Sequence, residues 1–323
     1  MIRSVALLAV AAAVALGTAC ALTPDSYKGA AAPRAEAIVP FKSARPVLGL
    51  ALGGGGARGF AHIGVIKALE DAGIVPDVVT GASSGAVIAA LYAGGHDGRR
   101  LTEIARALNR TDLVDFVLIG RGWVRGEALQ DFVNRMVGDR PIERLARPFA
   151  VVATAAKSGR MTVFNRGNTG LAVRASASVP ELFIAPVIEG EEFVDGGLTS
   201  PVPVKLARAM GADVVIAVDV SWFAQVRGRD PAGDGMARKQ DSDGTTRYGR
   251  SVRYGLLNDE LAAADVVVSP RTVPTRMLDF EQKEANIAAG EEAARAVLPD
   301  LKAALARAAA GKSAAAAAAP AAN

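Results

Sequence analysis

Three short segments hold residue types able to make and break an ester. Gly81-Ala82-Ser83-Ser84-Gly85 is a G-x-S-x-G pentapeptide lying between the apolar Val78-Val79-Thr80 and a helical stretch from Gly85 to Ala93. In a strand-to-helix setting the turn is so tight that Gly81 and Gly85 must be small, and Ser83 at its apex exposes a hydroxyl above the carboxyl edge of a sheet. The helix N-terminus that follows favours negative charge developing on a bound oxygen. Taken alone, the pentapeptide reads equally well as a small-residue turn that lets a helix pack closely. A serine hydroxyl also needs a base to take its proton. The chain has only two histidines. His96 comes after the helix that Ser83 opens, roughly 20 Å away at 1.5 Å per residue. His62 would break the chain order of the known Ser-His-Asp triads, and is expected on the helix surface or as a support behind the site.

The carboxylate candidate is Asp195, in Phe193-Val194-Asp195-Gly196-Gly197. Gly196 and Gly197 allow unusual backbone angles and leave space for a substrate, although an Asp before two glycines is also a common turn. With a reference pKa of about 3.9 it is a weak base, so the role requires partial burial and an approach to within about 3 Å of the Ser83 hydroxyl. The third segment is Gly53-Gly54-Gly55-Gly56-Ala57-Arg58-Gly59. Successive glycine amides can turn toward one point and make a nest for an anion, either a phosphate or the oxyanion of acyl transfer. Arg58 adds a positive charge that would steady the loop or meet a lipid phosphate. Gly54-x-Gly56-x-x-Gly59 also satisfies the dinucleotide fingerprint, which makes an oxidoreductase the main competitor. That fingerprint wants an acid at the end of the second strand, where this chain instead has Thr80 and the serine turn, with Asp77 at the strand's start. A nucleotide P-loop is excluded, because no Gly-Lys-Ser/Thr follows the glycines.

These segments need a frame. Val47 to Leu52 and Phe149 to Thr154 are continuous apolar runs of strand length, as strands buried on both faces would be. Asp213 to Val220, Val266 to Val268 and Met161 to Phe164 read as further strands. Helical spacing covers residues 60–72, 99–138 with a break at Gly120-Arg121-Gly122, and 280–309. The alternation of strand and helix predicts a parallel sheet with covering helices. At 323 residues, half of them apolar, the chain can bury one large core. A net charge of +4 with scattered Lys and Arg, and aromatics at only 5%, argue against nucleic acid as a partner.

Residues 1–20 read as a signal peptide: Arg3, an apolar stretch from Val5 to Leu16, then Gly17-Thr18-Ala19-Cys20. Cys20, the one cysteine, sits as the lipidated cysteine of a bacterial lipoprotein would, with Gly17 departing from the usual Leu. An ordinary secretory signal cut near Ala19 is the plainer alternative. The expected organisation is a flexible tether over 21–45, one domain over 46–310 with a mobile loop at 223–249, and a disordered Ala-rich tail over 311–323.

Taken together, G-G-G-x-R-G at Gly54 to Gly59, G-x-S-x-G at Gly81 to Gly85 and D-G-G at Asp195 to Gly197 resemble the ordered signature of the patatin-like phospholipases. Ser176-Ala177-Ser178-Val179-Pro180 with Phe183, and Gly120-Arg121-Gly122 with Gly126-Glu127, are similar to bacterial members related to the neuropathy target esterase catalytic domain. The resemblance covers about residues 47–220. It implies a three-layer α/β/α sandwich with a mainly parallel central sheet, Ser83 as nucleophile, Asp195 as base, amides of Gly54, Gly55 and Gly56 as the oxyanion hole, and no metal or cofactor. The implied substrates are phospholipid, lysophospholipid or another fatty acyl ester at a membrane surface. Phe116 to Ile119 with Trp123 and Val124 form an apolar strip for the acyl site, a membrane or the core. With Cys20 lipidated, the expected location is the periplasmic side of the bacterial outer membrane. A dinucleotide-dependent oxidoreductase and a catalytically silent lipoprotein are the alternatives.

Overall fold

Leu48–Leu52 form strand β1, buried along its whole length, and the same holds for β2 (Val78–Gly81), β3 (Phe149–Ala155) and the later β7 (Val214–Val218). Strands without a polar face must be covered on both sides. In this computed structural model, which describes residues 31–116, 123–221, 239–240, 246–247, 250–273 and 275–318, they are. Leu48, Leu50, Leu52, Val79, Val151, Ile216 and Val218 pack against one helical layer. It comprises α1 (Ala61–Asp71), α2 (Ser84–Ala93), α3 (Gly98–Ala107), α4 (Glu127–Met136), α5 (Thr169–Ala177) and α8 (Lys283–Ala318). Ala51, Val78, Ala150, Val152, Val215 and Ala217 face α6 (Val204–Ala209) and α7 (Arg250–Leu261) on the other side. The result is the three-layer α/β/α architecture that the sequence predicts.

The remaining strands are β4 (Met161–Phe164), β5 (Val187–Ile188), β6 (Glu191–Val194), the isolated pair β8 (Lys239–Gln240) and β9 (Thr246–Arg247), and β10 (Val266–Val268). The sheet runs β10-β7-β1-β2-β3-β6-β5, with β4 also on β3. Its first five strands are parallel, whereas β4, β5 and β6 are antiparallel to their partners. Val151 pairs with Gly81 and with Phe164, and Thr154 with Met161 and with Val194, so β2 and β6 share one edge of β3. The short β2 stops early, and β6 takes up the rest of that edge. The segment after β6 is thereby delivered to the carboxyl end of β2.

Two expectations at the margins change. Residues 31–45 are not a free tether. Arg34 pairs with Arg166, the Phe41 N–H donates to the Met210 carbonyl, and Glu36 is bound to Asn165 and Arg166. Backbone pairing of this kind needs no apolar periodicity, so nothing in the residue pattern announces it. The Ala-rich stretch from 311 continues α8 to Ala318, and the Lys312 ammonium makes a 2.7 Å ion pair with Asp213. Alanine has the highest helix propensity, so a run without a core-forming face extends a helix already nucleated. Residues 108–116 and 123–126, expected as part of a helical stretch, hold among them a single turn at Arg110–Asp112. Asp115 caps α4 across that gap by accepting from the Gly126, Glu127 and Ala128 N–H groups at 2.6, 2.9 and 3.1 Å. Residues 1–20 with Cys20, the Gly120-Arg121-Gly122 turn, and 223–249 apart from β8 and β9 lie outside the described residues.

α1 crosses α8 at a point with no room for side chains. A Cβ on Gly64 would fall 1.9 Å from the Ile287 carbonyl oxygen, and one on Gly290 would fall 1.9 Å from that of Ala61. Between β10 and α8 the chain passes over the glycine segment, where the Ala57 N–H donates to the Met277 carbonyl at 2.8 Å.

Candidate active site

Ser83 stands at the end of β2 with φ 54° and ψ −127°, a conformation that costs a non-glycine residue about 1–3 kcal/mol. The strain is held from three sides. The Ser83 N–H donates to the buried Ser176 Oγ at 2.9 Å, while the Ser83 and Ala82 carbonyls accept from Ala86 and Gly85, each at 2.9 Å. The flanking glycines are there for their neighbours. A Cβ on Gly81 would lie 2.6 Å from the Ala86 Cα, and one on Gly85 would lie 2.2 Å from the Leu52 carbonyl oxygen. Ser83 is 7% exposed.

Asp195 follows β6 and is 8% exposed. Its N–H donates to the Ser178 carbonyl at 2.9 Å, its carbonyl accepts from Thr154 Oγ1 at 2.9 Å, and its Oδ1 accepts from the Gly197 N–H at 2.8 Å. Gly196 packs so tightly that a Cβ would meet the Val152 carbonyl oxygen at 2.0 Å and Ser176 Oγ at 3.0 Å. Ser176 is therefore a common neighbour of the serine turn and the Asp195 turn. The two turns thus meet at the end of α5.

The glycine loop lies beside them: a Cβ on Gly54 would come 3.0 Å from Ser83 Cβ and 3.7 Å from its Oγ. Its amides are not all turned to one point. The Gly53 and Gly54 N–H groups donate to Val218 and Pro201 carbonyls at 3.0 and 3.1 Å. Gly55 donates to Ser84 Oγ at 3.0 Å. Of the three amides nominated from the sequence, only that of Gly56, at φ 59°, donates to no described residue, and the Ser84 N–H at the start of α2 is likewise unengaged. Arg58 donates Nε to the Val220 carbonyl at 2.9 Å, a tie between the glycine segment and the end of β7. Burial lowers its pKa and the Asp219 carboxylate opposes that shift. Gly59 backs onto Ser84, where a Cβ would fall 2.7 Å from Oγ, so the third glycine of the dinucleotide fingerprint serves contact with the serine turn.

His62 is fully buried rather than on the helix surface, because α1 is covered by α8. Its Nε2 donates to the Gly53 carbonyl at 2.8 Å, and burial pushes its pKa down to about 4, so the ring is neutral at ordinary pH. His96 is bonded to the Met136 carbonyl at 2.7 Å. Among the described residues no group of three or more His, Cys, Asp or Glu is placed to hold a metal ion.

A cavity opens from Ser83, Ser84 and Gly56 and runs between α1, α2, α3 and α4, walled by residues such as Ile63, Ile88, Leu91, Leu101, Phe132 and Phe280. Among the described residues that line it, the side-chain polar atoms are the two serine hydroxyls. Such a lining suits an apolar group, with the two hydroxyls at one end. Four features escaped the sequence reading: the Ser176 acceptor, the buried His62, the Ser84 hydroxyl on the loop, and the 277–280 wall. Ser176 alone carried a signal, through the segment that resembles the bacterial family members.

A strained serine turn and an acid-glycine turn thus lie at the carboxyl ends of strands in a mixed α/β sandwich. Residues 50–208 match the family model described as patatin-like phospholipase, and the chain belongs to that family. It is 37% identical over 194 residues to an uncharacterized NTE family protein of Mycobacterium bovis, covering 58% of this chain and 53% of that one. Patatin-like phospholipase domain-containing protein 6 of Homo sapiens is 38% identical over 182 residues, or 54% of this chain and 13% of its own. The chain thus spans about half the length of the mycobacterial relative and a small part of the human one. Among solved structures, VipD from Legionella pneumophila aligns with a TM-score of 0.49 at 15% identity, covering 86% of this chain and 72% of its own.

Proposed function

We propose that the protein is a lipid acyl hydrolase that cleaves a carboxylic ester through an acyl-enzyme on Ser83. One observation carries the reading: a serine held in a strained turn is a polar end of an otherwise apolar slot. In this mechanism Asp195 accepts the Ser83 proton, directly or through a water, as Oγ attacks the ester carbonyl. The Gly56 and Ser84 amides stabilise the oxyanion, joined by Gly55 once the Ser84 hydroxyl swings away. The alcohol portion leaves with a proton from Asp195, and water, deprotonated by the same carboxylate, releases the fatty acid. No cofactor enters these steps.

The substrate class is phospholipid, lysophospholipid or another fatty acyl ester. Approach to a membrane surface is supported by Phe116 and Trp123, 56% and 65% exposed, beside a small cluster of Val114, Val124 and Phe183 that reaches the cavity wall. Lipidation at Cys20 and attachment to the periplasmic face of the outer membrane complete the proposal, and mass spectrometry of the mature N-terminus tests them.

The deciding experiment is labelling with a fluorophosphonate, followed by a lipid panel. Wild type should be modified at Ser83 and release fatty acid, and Ser83→Ala should do neither. An unlabelled wild type beside a labelled control hydrolase would overturn the acyl-enzyme. Nicotinamide-cofactor binding in calorimetry would favour the oxidoreductase, and inactivity in both assays a silent lipoprotein.

A further inference from the structure

The last turn of α5 touches both halves of the candidate machinery. Ser176 Oγ accepts the Ser83 N–H at 2.9 Å and lies 3.0 Å from where a Gly196 Cβ would be. Two residues on, the Ser178 carbonyl accepts the Asp195 N–H at 2.9 Å. Ser176 is fully buried, and none of the steps above uses it. From this arrangement we infer that Ser176 is a positioning residue, which fixes the Ser83 peptide in its strained orientation and sets the spacing between the nucleophile and the Asp195 turn. This inference rests on the hydrolase reading.

The physical case begins with the peptide joining Ala82 to Ser83. A residue at φ 54° gains by relaxing to negative φ, and only the surrounding contacts prevent it. The Ser83 N–H is buried, so it requires an acceptor, and the only one it has among the described side chains is Ser176 Oγ. Without that oxygen, the peptide has reason to rotate in search of another, and Ser83 Oγ turns with it. The same hydroxyl fills the gap behind Gly196, whose other face is pressed on the Val152 carbonyl. Loss of the oxygen thus loosens both partners at once, while the apolar cavity, built mainly from α1 to α4, is left intact.

Ser176→Ala separates this from a merely structural role by the split between kcat and KM on a soluble fatty acyl ester. The expected result is a fall in kcat of about 10- to 100-fold with KM changed by less than about twofold, because the lost interaction orients the nucleophile and not the substrate. The rate of fluorophosphonate labelling at Ser83 should fall in the same proportion. Thr169→Ala is the control: Thr169 is equally buried at the other end of α5, its hydroxyl donates to the Arg140 carbonyl at 2.7 Å, and its loss should lower the melting temperature without lowering kcat. Should Ser176→Ala fail to fold, Ser176→Cys carries the test, since it fills the site with a weaker acceptor and should give an intermediate kcat. Wild-type kcat and labelling rate in a folded Ser176→Ala or Ser176→Cys protein, or an equal kcat loss in Thr169→Ala, overturn the inference. A wild type that is never labelled overturns the hydrolase reading first, so the two failures are told apart.

Discussion

β1 and β2 are adjacent parallel strands that end in glycine-rich turns and lead into helices, yet the two turns solve different problems. In the serine turn, Gly81 and Gly85 are small because backbone passes within 2.6 and 2.2 Å of where a Cβ would be, and the positive φ falls on Ser83, a residue with something to present. In the glycine loop the positive φ falls on Gly56 itself, and most amides are already committed to Val218, Pro201 and Ser84. The first turn stores strain to aim a hydroxyl. The second, held by His62 and Arg58 from behind, limits how many N–H groups remain for a ligand. Counting glycines therefore overstates an anion nest, and the number to ask for is how many amides have no other acceptor.

That contrast can be broken first at the base. Asp195→Asn should keep the fold, because the Gly197 contact needs only an oxygen, and lower ester turnover by about 10²–10⁴-fold; a mutant that turns over normally would separate the serine turn from Asp195 altogether. Next come the two kinds of glycine. Gly56→Ala should cost turnover, about 10²–10³-fold if its amide is an oxyanion donor, with a loss of melting temperature from φ 59° and from the Met277 carbonyl oxygen 2.8 Å from the added Cβ, smaller than that of Gly85→Ala. Gly85→Ala should give little folded protein, since the Leu52 carbonyl leaves no space. If the two variants exchanged behaviours in thermal melts and ester assays, the division of labour between the turns would be wrong.

The smallest effect concerns the histidine behind the loop. His62 has its pKa lowered from 6.5 to about 4 by burial, so between those values the unfolded chain binds a proton that the folded one does not. Stability should be full above pH 6.5 and decline as pH falls toward 4, by about 3 kcal/mol from this residue. His62→Gln should flatten that part of the profile, as followed by urea unfolding at each pH. An unchanged slope would mean that His62 is solvated, and its support of Gly53 would fall with it.

Much of this could be read before any coordinates. The all-apolar strands, the tight serine turn and the acid before Gly196 follow from residue size and polarity acting within a few positions. Asp195 beside the serine turn could be expected only by resemblance, since its placement depends on β6 sharing an edge of β3 with β2, a matter of register between distant segments. Which of the two expected places His62 takes, the helix surface or support behind the site, was open for a related reason: whether a helix face is buried depends on α8, much later in the chain. The tie of residues 31–45 to the body is made by backbone groups that every residue carries, and so leaves no mark in composition.

The crossing of α1 and α8 has a consequence for how activity arises during synthesis. By the time β7 has been made, the chain already contains Ser83, Asp195 and the glycine loop. It still lacks the Met277–Phe280 wall and the helix that seats against Gly64. A growing polypeptide of that length has no closed slot for a fatty chain. The last part of the wall to be synthesised is thus Met277 to Phe280, three residues ahead of the long helix that seats against Gly64.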